Sequence, residues 1–173
     1  MPGFLDALHK LAPCGAVSFR GLPTDARNPS GVTIAASIMA TSRSPRLASE
    51  NFSPGFILAL LNRTGRDISA LSAFPDEGEV VVLPGSAWNV LCRIDVPQCQ
   101  LPVIVMEELT MSTDVAQPES WGDALADLVS NITSLVTVSL SKQDAAIGTF
   151  GKYRGPWHAT PYRRPANSHT NQS

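Results

Sequence analysis

Apolar residues recur at helical spacing near the start of the chain and again after residue 120. Phe4, Leu5, Leu8 and Leu11 share one face of a predicted helix that ends before Pro13. A second stripe predicts a helix over residues 121–136, formed by Trp121, Leu125, Leu128, Ile132 and Leu135. Two helices therefore flank the central part of the chain.

Between these helices, the apolar segments are short and rich in β-branched residues, and Pro, Gly and Asn turns separate them. A short helix is predicted in residues 44–52, after Pro45. Strands are predicted over residues 14–22, 31–42, 55–61, 66–74, 79–85, 87–95 and 101–109. Because strands and helices do not alternate as in a doubly wound sheet, we expect the α+β class, with a mixed or antiparallel β core and peripheral helices.

Three regions follow from this order of elements. Residues 1–112 form the expected β-rich core, and residues 113–140 hold a helix that packs on or next to it. Residues 141–173 combine Gly, Pro, aromatic and Arg residues without periodicity, so we expect an extended or disordered basic tail. A chain of 173 residues with 43% hydrophobic content can bury a sizeable core without disulfides.

The net charge of −2 conceals an uneven distribution of charge along the chain. Residues 1–66 carry seven Lys or Arg and three acids, and residues 67–127 carry one basic residue and eleven acids. Residues 128–173 carry five basic residues and one acid. Two interpretations stay open: ordinary variation with a basic tail, or a basic half that holds an anionic ligand and faces an acidic half with catalytic carboxylates.

The cysteines and histidines indicate neither a disulfide framework nor a metal site. Cys14, Cys92 and Cys99 are odd in number and lack CxxC spacing. The three histidines do not cluster with acids at metal-ligand spacing, so we expect no metal.

The N-terminal residues do not form a signal peptide, because Asp6, His9 and Lys10 interrupt the first apolar stretch. No segment is long and apolar enough for a membrane span. We therefore expect no membrane partner. If the protein leaves its cell, we expect a non-classical route that the sequence does not display, or export as part of a longer precursor.

The densest chemistry lies in residues 72–85, where Asp76, Glu77 and Glu79 occupy a turn before an apolar strand. Strand side chains alternate between faces, so Glu77 and Glu79 point the same way if the strand begins at Glu77. Two carboxylates this close repel, and each raises the pKa of the other. Taken alone, the segment is equally typical of a solvated acidic turn at the start of a strand.

Two further segments place polar residues in apolar strands. Arg20 follows Phe19, and its guanidinium needs an ion pair, an anionic ligand or a water-exposed strand edge, because an unpaired buried charge is costly. Thr41 and Ser42 end the strand of residues 31–42, where a simple Ser/Thr turn is the plain alternative.

The chain resembles the R-S-E type of mono-ADP-ribosyltransferases, a family that includes arginine-modifying bacterial toxins and vertebrate ectoenzymes. Three motifs follow the family order: FRG at residues 19–21, Ala-Thr-Ser at residues 40–42 and Glu-Gly-Glu at residues 77–79. The resemblance covers residues 5–109 and makes residues 1–112 the catalytic core. It implies two packed sheets around an NAD cleft, and an enzyme of the glycosyltransferase class whose substrate is NAD.

By this resemblance, Arg20 and Glu79 carry the NAD chemistry. Arg20 would bind the NAD phosphates through its guanidinium, and Gly21 would let the backbone approach the ligand. Glu79 would be the catalytic carboxylate, which accepts a hydrogen bond from the ribose 2′-OH and stabilises positive charge as the bond to nicotinamide breaks. Glu77 would orient and deprotonate the acceptor, and glutamate at this family position accompanies arginine acceptors.

Thr41, Ser42 and Phe52 complete the implied NAD site. Thr41 and Ser42 would shape the nicotinamide pocket and hold the glutamates. Phe52 would pack on the nicotinamide side, with simple core packing as its alternative. The first serine of the family motif corresponds to Ala40, so the hydrogen bond that this serine gives to the catalytic glutamate is lost or is made by Thr41 or Ser42.

The resemblance implies a secreted toxin or effector that is delivered into the cytoplasm of a target cell and modifies a protein there, on arginine. An immunity or delivery partner is compatible with the sequence but is not indicated by it. Two alternatives keep the fold, an NAD glycohydrolase and a nucleic-acid ADP-ribosyltransferase, and the substitution at Ala40 supports a third, a non-catalytic binding module. Nucleic acid would contact the tail through Lys152, Tyr153, Arg154, Trp157, Tyr162, Arg163 and Arg164, although a solvated tail is the favoured interpretation.

Overall fold

The computed structural model describes residues 2–109 and 122–162. Its helices are α1 (Pro2–His9), α2 (Pro45–Ala48) and α3 (Gly122–Leu140). Its strands are β1 (Val17–Pro23), β2 (Val32–Ala35), β3 (Met39–Ser42), β4 (Gly55–Leu61), β5 (Arg66–Asp67), β6 (Glu79–Val82), β7 (Ala87–Ile94), β8 (Val103–Leu109) and β9 (Ala159–Pro161). Two short 3-10 helices, Ser69–Leu71 and Pro75–Glu77, lie between β5 and β6.

The nine strands form one hydrogen-bonded sheet, in the order β5-β6-β3-β1-β4-β8-β7-β2-β9. Strands β4 and β8 pair in parallel, and the other neighbouring pairs are antiparallel. Strand β1 pairs with β4 through seven residues, but with β3 only at Phe19 and Ser42. The predicted α+β class with a mixed, largely antiparallel core is confirmed. The two expected sheets are joined into one, because β1 and β3 pair at a single position.

The central strands bury both faces of the sheet in separate apolar clusters. In β4, Ile57 and Ala59 pack in one cluster with Ile132 of α3, whereas Leu58 and Leu60 pack in the other with Trp88. This separation follows from the two-residue alternation of strand side chains. Each fully buried large side chain contributes roughly 1.5–3 kcal/mol of hydrophobic stabilisation. Helix α3 therefore serves as the cover of one face of the core.

The segment predicted as a strand over residues 66–74 is a strand only at Arg66–Asp67. The backbone N–H of Ser69 donates to the carboxylate of Asp67 over 2.9 Å, which turns the chain out of the sheet. Asp side chains compete in this way with ladder hydrogen bonds. The two 3-10 helices that follow bring the chain back to the sheet at β6.

The C-terminal region differs most from expectation. Residues 141–162 pack against the core instead of forming an extended or disordered tail, and Tyr153 is only 4% exposed. Strand β9 pairs with β2, and the ring of Trp157 meets that of Trp88 edge-on, with centroids 5.8 Å apart. We call residues 145–157 of this region the strap. Residues 163–173, which include Arg163 and Arg164, lie outside the described part of the chain, as do residues 110–121.

Gly21 lies where the strap and α2 both approach β1. A Cβ at this position would stand 2.4 Å from the carbonyl oxygen of Ala48, which is closer than atoms can pack. Only glycine therefore fits here without a backbone shift. Among the described helices, none combines the length and the apolar character that crossing a membrane requires.

Gly21→Ala is expected to lower the free energy of unfolding by about 1–3 kcal/mol, because the added methyl group overpacks β1 against the backbone of α2. Urea denaturation measures the change. Gly3→Ala is the matched control, since its Cβ would meet nothing within 4 Å in α1. Equal stability of the two variants would contradict the packing described at Gly21.

Candidate active site

The acidic turn is built from a 3-10 helix, a left-handed glycine and the start of β6. Glu77 ends the 3-10 helix, Gly78 has φ 57° and ψ 51°, and Glu79 is the first residue of β6. The strand thus begins at Glu79 and not at Glu77, so simple strand alternation does not orient this pair. The left-handed conformation of Gly78, which glycine adopts at little cost, changes the direction of the backbone between the two glutamates.

Strand β3 fixes the position of this turn. Ser42 is the partner of Glu79 in the β3–β6 register, and its hydroxyl donates to the carbonyl oxygen of Glu77 over 2.6 Å. The hydroxyl of Thr41 donates to the carbonyl oxygen of Val80 over 2.5 Å and lies 2.7 Å from the hydroxyl oxygen of Ser18. Ser42 and Thr41 therefore hold the backbone of the turn and of β6, and not the carboxylates themselves.

Both carboxylates converge on one ammonium group. The Nζ atom of Lys152 lies 2.7 Å from Oε2 of Glu77 and 2.8 Å from Oε2 of Glu79. Each glutamate is only 7% exposed. The hydroxyl of Tyr153 donates to the same Glu77 oxygen over 2.5 Å. The strap thus supplies a cation and a neutral donor to the acidic pair.

These contacts set the pKa values of the site. Burial alone would raise the pKa of Glu77, but the hydrogen bonds from Lys152 and Tyr153 and the charge of Lys152 bring it below its usual value. Burial likewise opposes the charge on Lys152, yet its hydrogen bonds to both glutamates raise its pKa. Burial and the bond to Glu77 raise the pKa of Tyr153. The expectation that mutual repulsion would raise the pKa of Glu77 is therefore wrong, because a cation separates the two carboxylates.

Arg20 lies buried in β1, on the neighbouring strand to β3. Its Nη1 atom donates to the carbonyl oxygen of Ala40 over 2.8 Å. Its Nε atom is buried and has no hydrogen-bond partner among the described residues. Burial lowers the pKa of Arg20 to about 10, so the guanidinium still carries its charge at neutral pH. A buried cation with an unused donor fits an anionic ligand better than a purely structural role.

The strap links Arg20 to the acidic pair. The backbone N–H of Gly21 donates to the carbonyl oxygen of Tyr153, and the N–H of Gly155 donates to the carbonyl oxygen of Gly21, both over 3.0 Å. A Cβ on Gly155 would come within 3.1 Å of Nη2 of Arg20. The backbone of the strap therefore lies against Gly21 and beside Arg20, and its side chains reach the two predicted catalytic carboxylates.

Phe52 lies in a bend in which three consecutive residues have positive φ angles. Glu50, Asn51 and Phe52 have φ of 51°, 60° and 58°. Such strained backbone is retained where the surroundings fix it, and it clusters at functional sites. The guanidinium of Arg46 lies 5.2 Å from the centre of the Phe52 ring, and the ring packs on the apolar cluster below α3. A contact of Phe52 with nicotinamide stays a prediction.

Lys152, Tyr153 and Gly155 were not predicted as site residues from the sequence. The sequence signal was the basic and aromatic run at residues 152–154, which had been assigned to a tail. Arg154 of this run contacts Glu50 at 3.5 Å and donates to the carbonyl oxygen of Pro54 over 2.6 Å. These side chains are engaged within the fold, which removes support for nucleic acid binding by this run.

Metal ligation has no visible basis in the part of the chain that the structure describes. There, no three His, Cys, Asp or Glu side chains are grouped as they would be around a metal ion. The acidic pair is instead bound to the Lys152 ammonium, which offsets one of its two negative charges.

Lys152→Met is expected to raise the pKa of Glu77, because burial then acts without the opposing cation. The stabilisation that Glu77 gains from this pair is complete above the usual glutamate pKa and is lost as the pH falls through the lowered value. Titration of the side-chain carboxyl carbons by NMR measures the change. Lys142→Met, at an exposed position, is the control, and an unchanged Glu77 titration in Lys152→Met would refute the pairing.

Comparisons with known proteins concern the fold. No model of a protein family matches the sequence, and no curated protein matches it. Exoenzyme S from Pseudomonas aeruginosa, solved with human 14-3-3 protein beta and carba-NAD, superposes with a TM-score of 0.52 at 23% identity, over 72% of this chain and 64% of that one. The C3 exoenzyme of Clostridium limosum gives a TM-score of 0.52 at 14% identity, over 63% of this chain and 67% of that one.

A third solved structure agrees with these two. The ADP-ribosyltransferase Vis from Vibrio splendidus, solved with an inhibitor, gives a TM-score of 0.50 at 21% identity, over 63% of this chain and 55% of that one. This chain thus spans less than two thirds of the length of exoenzyme S and of Vis. Identities this low establish architecture alone. The chain has the fold of the ADP-ribosyltransferases.

Proposed function

We propose that this protein is a mono-ADP-ribosyltransferase that cleaves NAD at the bond between nicotinamide and ribose and transfers ADP-ribose to an arginine of a protein. One observation carries the proposal. Glu77 and Glu79 are buried together on one cation, and the strap that supplies the cation also contacts the strand of the buried Arg20. This is an acidic site for developing positive charge next to a basic site for phosphate.

Glu79 supplies the electrostatic part of the reaction. The bond from C1′ to the nicotinamide nitrogen breaks with its electron pair on nicotinamide, and positive charge builds up on the ribose. A buried carboxylate stabilises that charge and accepts a hydrogen bond from the ribose 2′-OH. The backbone contacts of Ser42 and Thr41 hold the turn and β6, so that the carboxylate of Glu79 needs little reorganisation during the reaction.

Arg20 supplies the binding part. Its guanidinium is charged, largely withdrawn from water and has an unused Nε donor among the described residues. Arginine binds phosphate oxygens through two parallel hydrogen bonds, and such bonds strengthen where water is excluded. The room expected for a ligand at Gly21 is filled by α2 and the strap, so Gly21 contributes by letting these elements pack closely against β1 beside Arg20.

Glu77 supplies the acceptor part. Its carboxylate already accepts hydrogen bonds from a cation and from a hydroxyl, and a guanidinium likewise brings positive charge and several N–H donors. The acceptor nitrogen attacks C1′, and the proton that it loses passes to Glu77. Ala40 offers only its carbonyl oxygen, to Arg20, so the serine of the family motif has no side-chain counterpart at this position.

We extend the proposal to a toxin or effector that is delivered into a target cell and acts there. Exoenzyme S, which shares the fold, was solved with a human protein and an NAD analogue. That structure supports a protein partner and an NAD site on this architecture.

Glu79→Gln is expected to reduce transfer of labelled ADP-ribose from NAD to proteins of a cell lysate by about 100-fold or more, because the amide no longer stabilises the positive ribose. Mass spectrometry of the labelled proteins identifies the acceptor residue. Glu77→Gln is expected to retain nicotinamide release and to lose transfer to arginine.

Asp76→Asn is the matched control, because Asp76 is an exposed acid in the same turn. It should label the lysate as the wild-type protein does. The proposal fails if the wild-type protein transfers no label, or if Glu79→Gln transfers as much as Asp76→Asn. Nicotinamide release without protein labelling would instead identify an NAD glycohydrolase.

A further inference from the structure

The strap is fastened on both sides of the candidate active site. Before the site, the side-chain amide of Asn51 exchanges two hydrogen bonds with the backbone of Ala145, over 3.0 and 2.8 Å. After it, Arg154 binds the carbonyl oxygen of Pro54 and Trp157 packs on the core. These contacts hold the backbone of the strap in place, so Lys152 is presented to the acidic pair by a fixed support.

The Lys152 side chain can leave while this support stays. Its side chain is 22% exposed, whereas those of Glu77 and Glu79 are 9% exposed. The ammonium also lies 4.8 Å from the centre of the Tyr153 ring. Rotation about the torsions of its four-carbon stem is enough to carry the ammonium into water. Tyr153 can meanwhile keep its hydrogen bond to Glu77.

The ammonium opposes the chemistry proposed for Glu79. Cleavage of the nicotinamide bond builds positive charge beside this carboxylate, and Lys152 places another positive charge 2.8 Å from the same group. Two positive charges beside one carboxylate repel each other, and burial strengthens the repulsion. Because the pKa of Lys152 is raised, loss of its proton near neutral pH does not relieve the conflict. Only movement of the ammonium does.

We propose that Lys152 is an internal competitor, which fills the cation subsite between Glu77 and Glu79 until the guanidinium of an acceptor displaces it. The proposal rests on the function proposed above and adds a regulation of the same site. Lys152 leaves as an intact ammonium ion, and the guanidinium takes over its hydrogen bond to Glu77, while Glu79 is released for the ribose. Attack of the acceptor nitrogen on C1′ then expels nicotinamide with its bonding electron pair, and the acceptor proton passes to Glu77.

The same contact restrains wasteful hydrolysis. Without an acceptor, water is the only nucleophile, and the ammonium remains next to Glu79 while C1′ would have to become positive. NAD cleavage by water is therefore slow in the resting protein. An acceptor guanidinium that displaces Lys152 removes the positive charge next to Glu79, and the acceptor is then in place to react.

Titration calorimetry with agmatine, a small guanidinium compound, tests the competition. Lys152→Ala is expected to bind agmatine about tenfold to a hundredfold more tightly than the wild-type protein, because agmatine no longer has to replace a charge-assisted hydrogen bond. Lys152→Arg, which keeps a cation, should bind as weakly as wild type. Lys142→Ala, a change at an exposed lysine that precedes the strap, should also match wild type.

Nicotinamide release without acceptor is measured on the same proteins. The rate of nicotinamide release is expected to be higher for Lys152→Ala than for Lys152→Arg. The factor should be at least as large as the gain in agmatine affinity. Agmatine binding by Lys152→Ala that equals or is weaker than wild type overturns the competition, even if NAD is cleaved. Tighter agmatine binding with no nicotinamide release from any of the proteins supports the cation subsite and contradicts the proposed function.

Discussion

Two carboxylates separated by one glycine cannot both be buried as anions unless a cation lies between them. Glu77 and Glu79 satisfy this condition through Lys152, which comes from 73 to 75 residues further along the chain. The left-handed Gly78 and the β3–β6 pairing set the two carboxylates in place. The strap that carries Lys152 is held in place by its own contacts with the core, such as those of Ala145 with Asn51 and of Trp157 with Trp88. The buried acidic pair thus depends on a C-terminal segment of irregular sequence whose position is fixed elsewhere.

Local pattern predicted the elements whose contacts are periodic. The apolar runs of β4, β6 and β8 and the stripe of α3 each bury a regular set of side chains, and these elements form where expected. The strap could not be predicted in this way. Its order comes from single contacts with distant residues, such as Asn51 with Ala145 and Trp88 with Trp157, which leave no period in the sequence. The strand predicted over residues 66–74 was too long, because the turn that ends it at Asp67 depends on one side-chain hydrogen bond.

The predicted site residues are found in related positions, although their contacts differ from those expected. Arg20 and the two glutamates adjoin the same strap, a contact that the sequence did not indicate because residues 141–173 were expected to form a tail. Ser42 was expected to hold a carboxylate but holds the carbonyl oxygen of Glu77. The direction of the Glu77 pKa shift depends on Lys152, a partner that no motif contained. Positions that depend on the order of motifs were therefore accessible from sequence, whereas contacts that depend on counter-charges required the fold. The roles of Arg20, Glu77 and Glu79 stay predictions.

In the proposed function, Glu79 contacts the ribose next to nicotinamide, and Arg20 contacts the pyrophosphate of the same NAD molecule. A crystal structure with carba-NAD, in which a carbocycle replaces the ribose next to nicotinamide, tests it most directly. The account predicts the 2′-hydroxyl of that ring within hydrogen-bonding distance of the Glu79 carboxylate, and pyrophosphate oxygens on the Arg20 guanidinium. An analogue bound away from both residues, or no bound analogue at saturating concentration, would contradict the account.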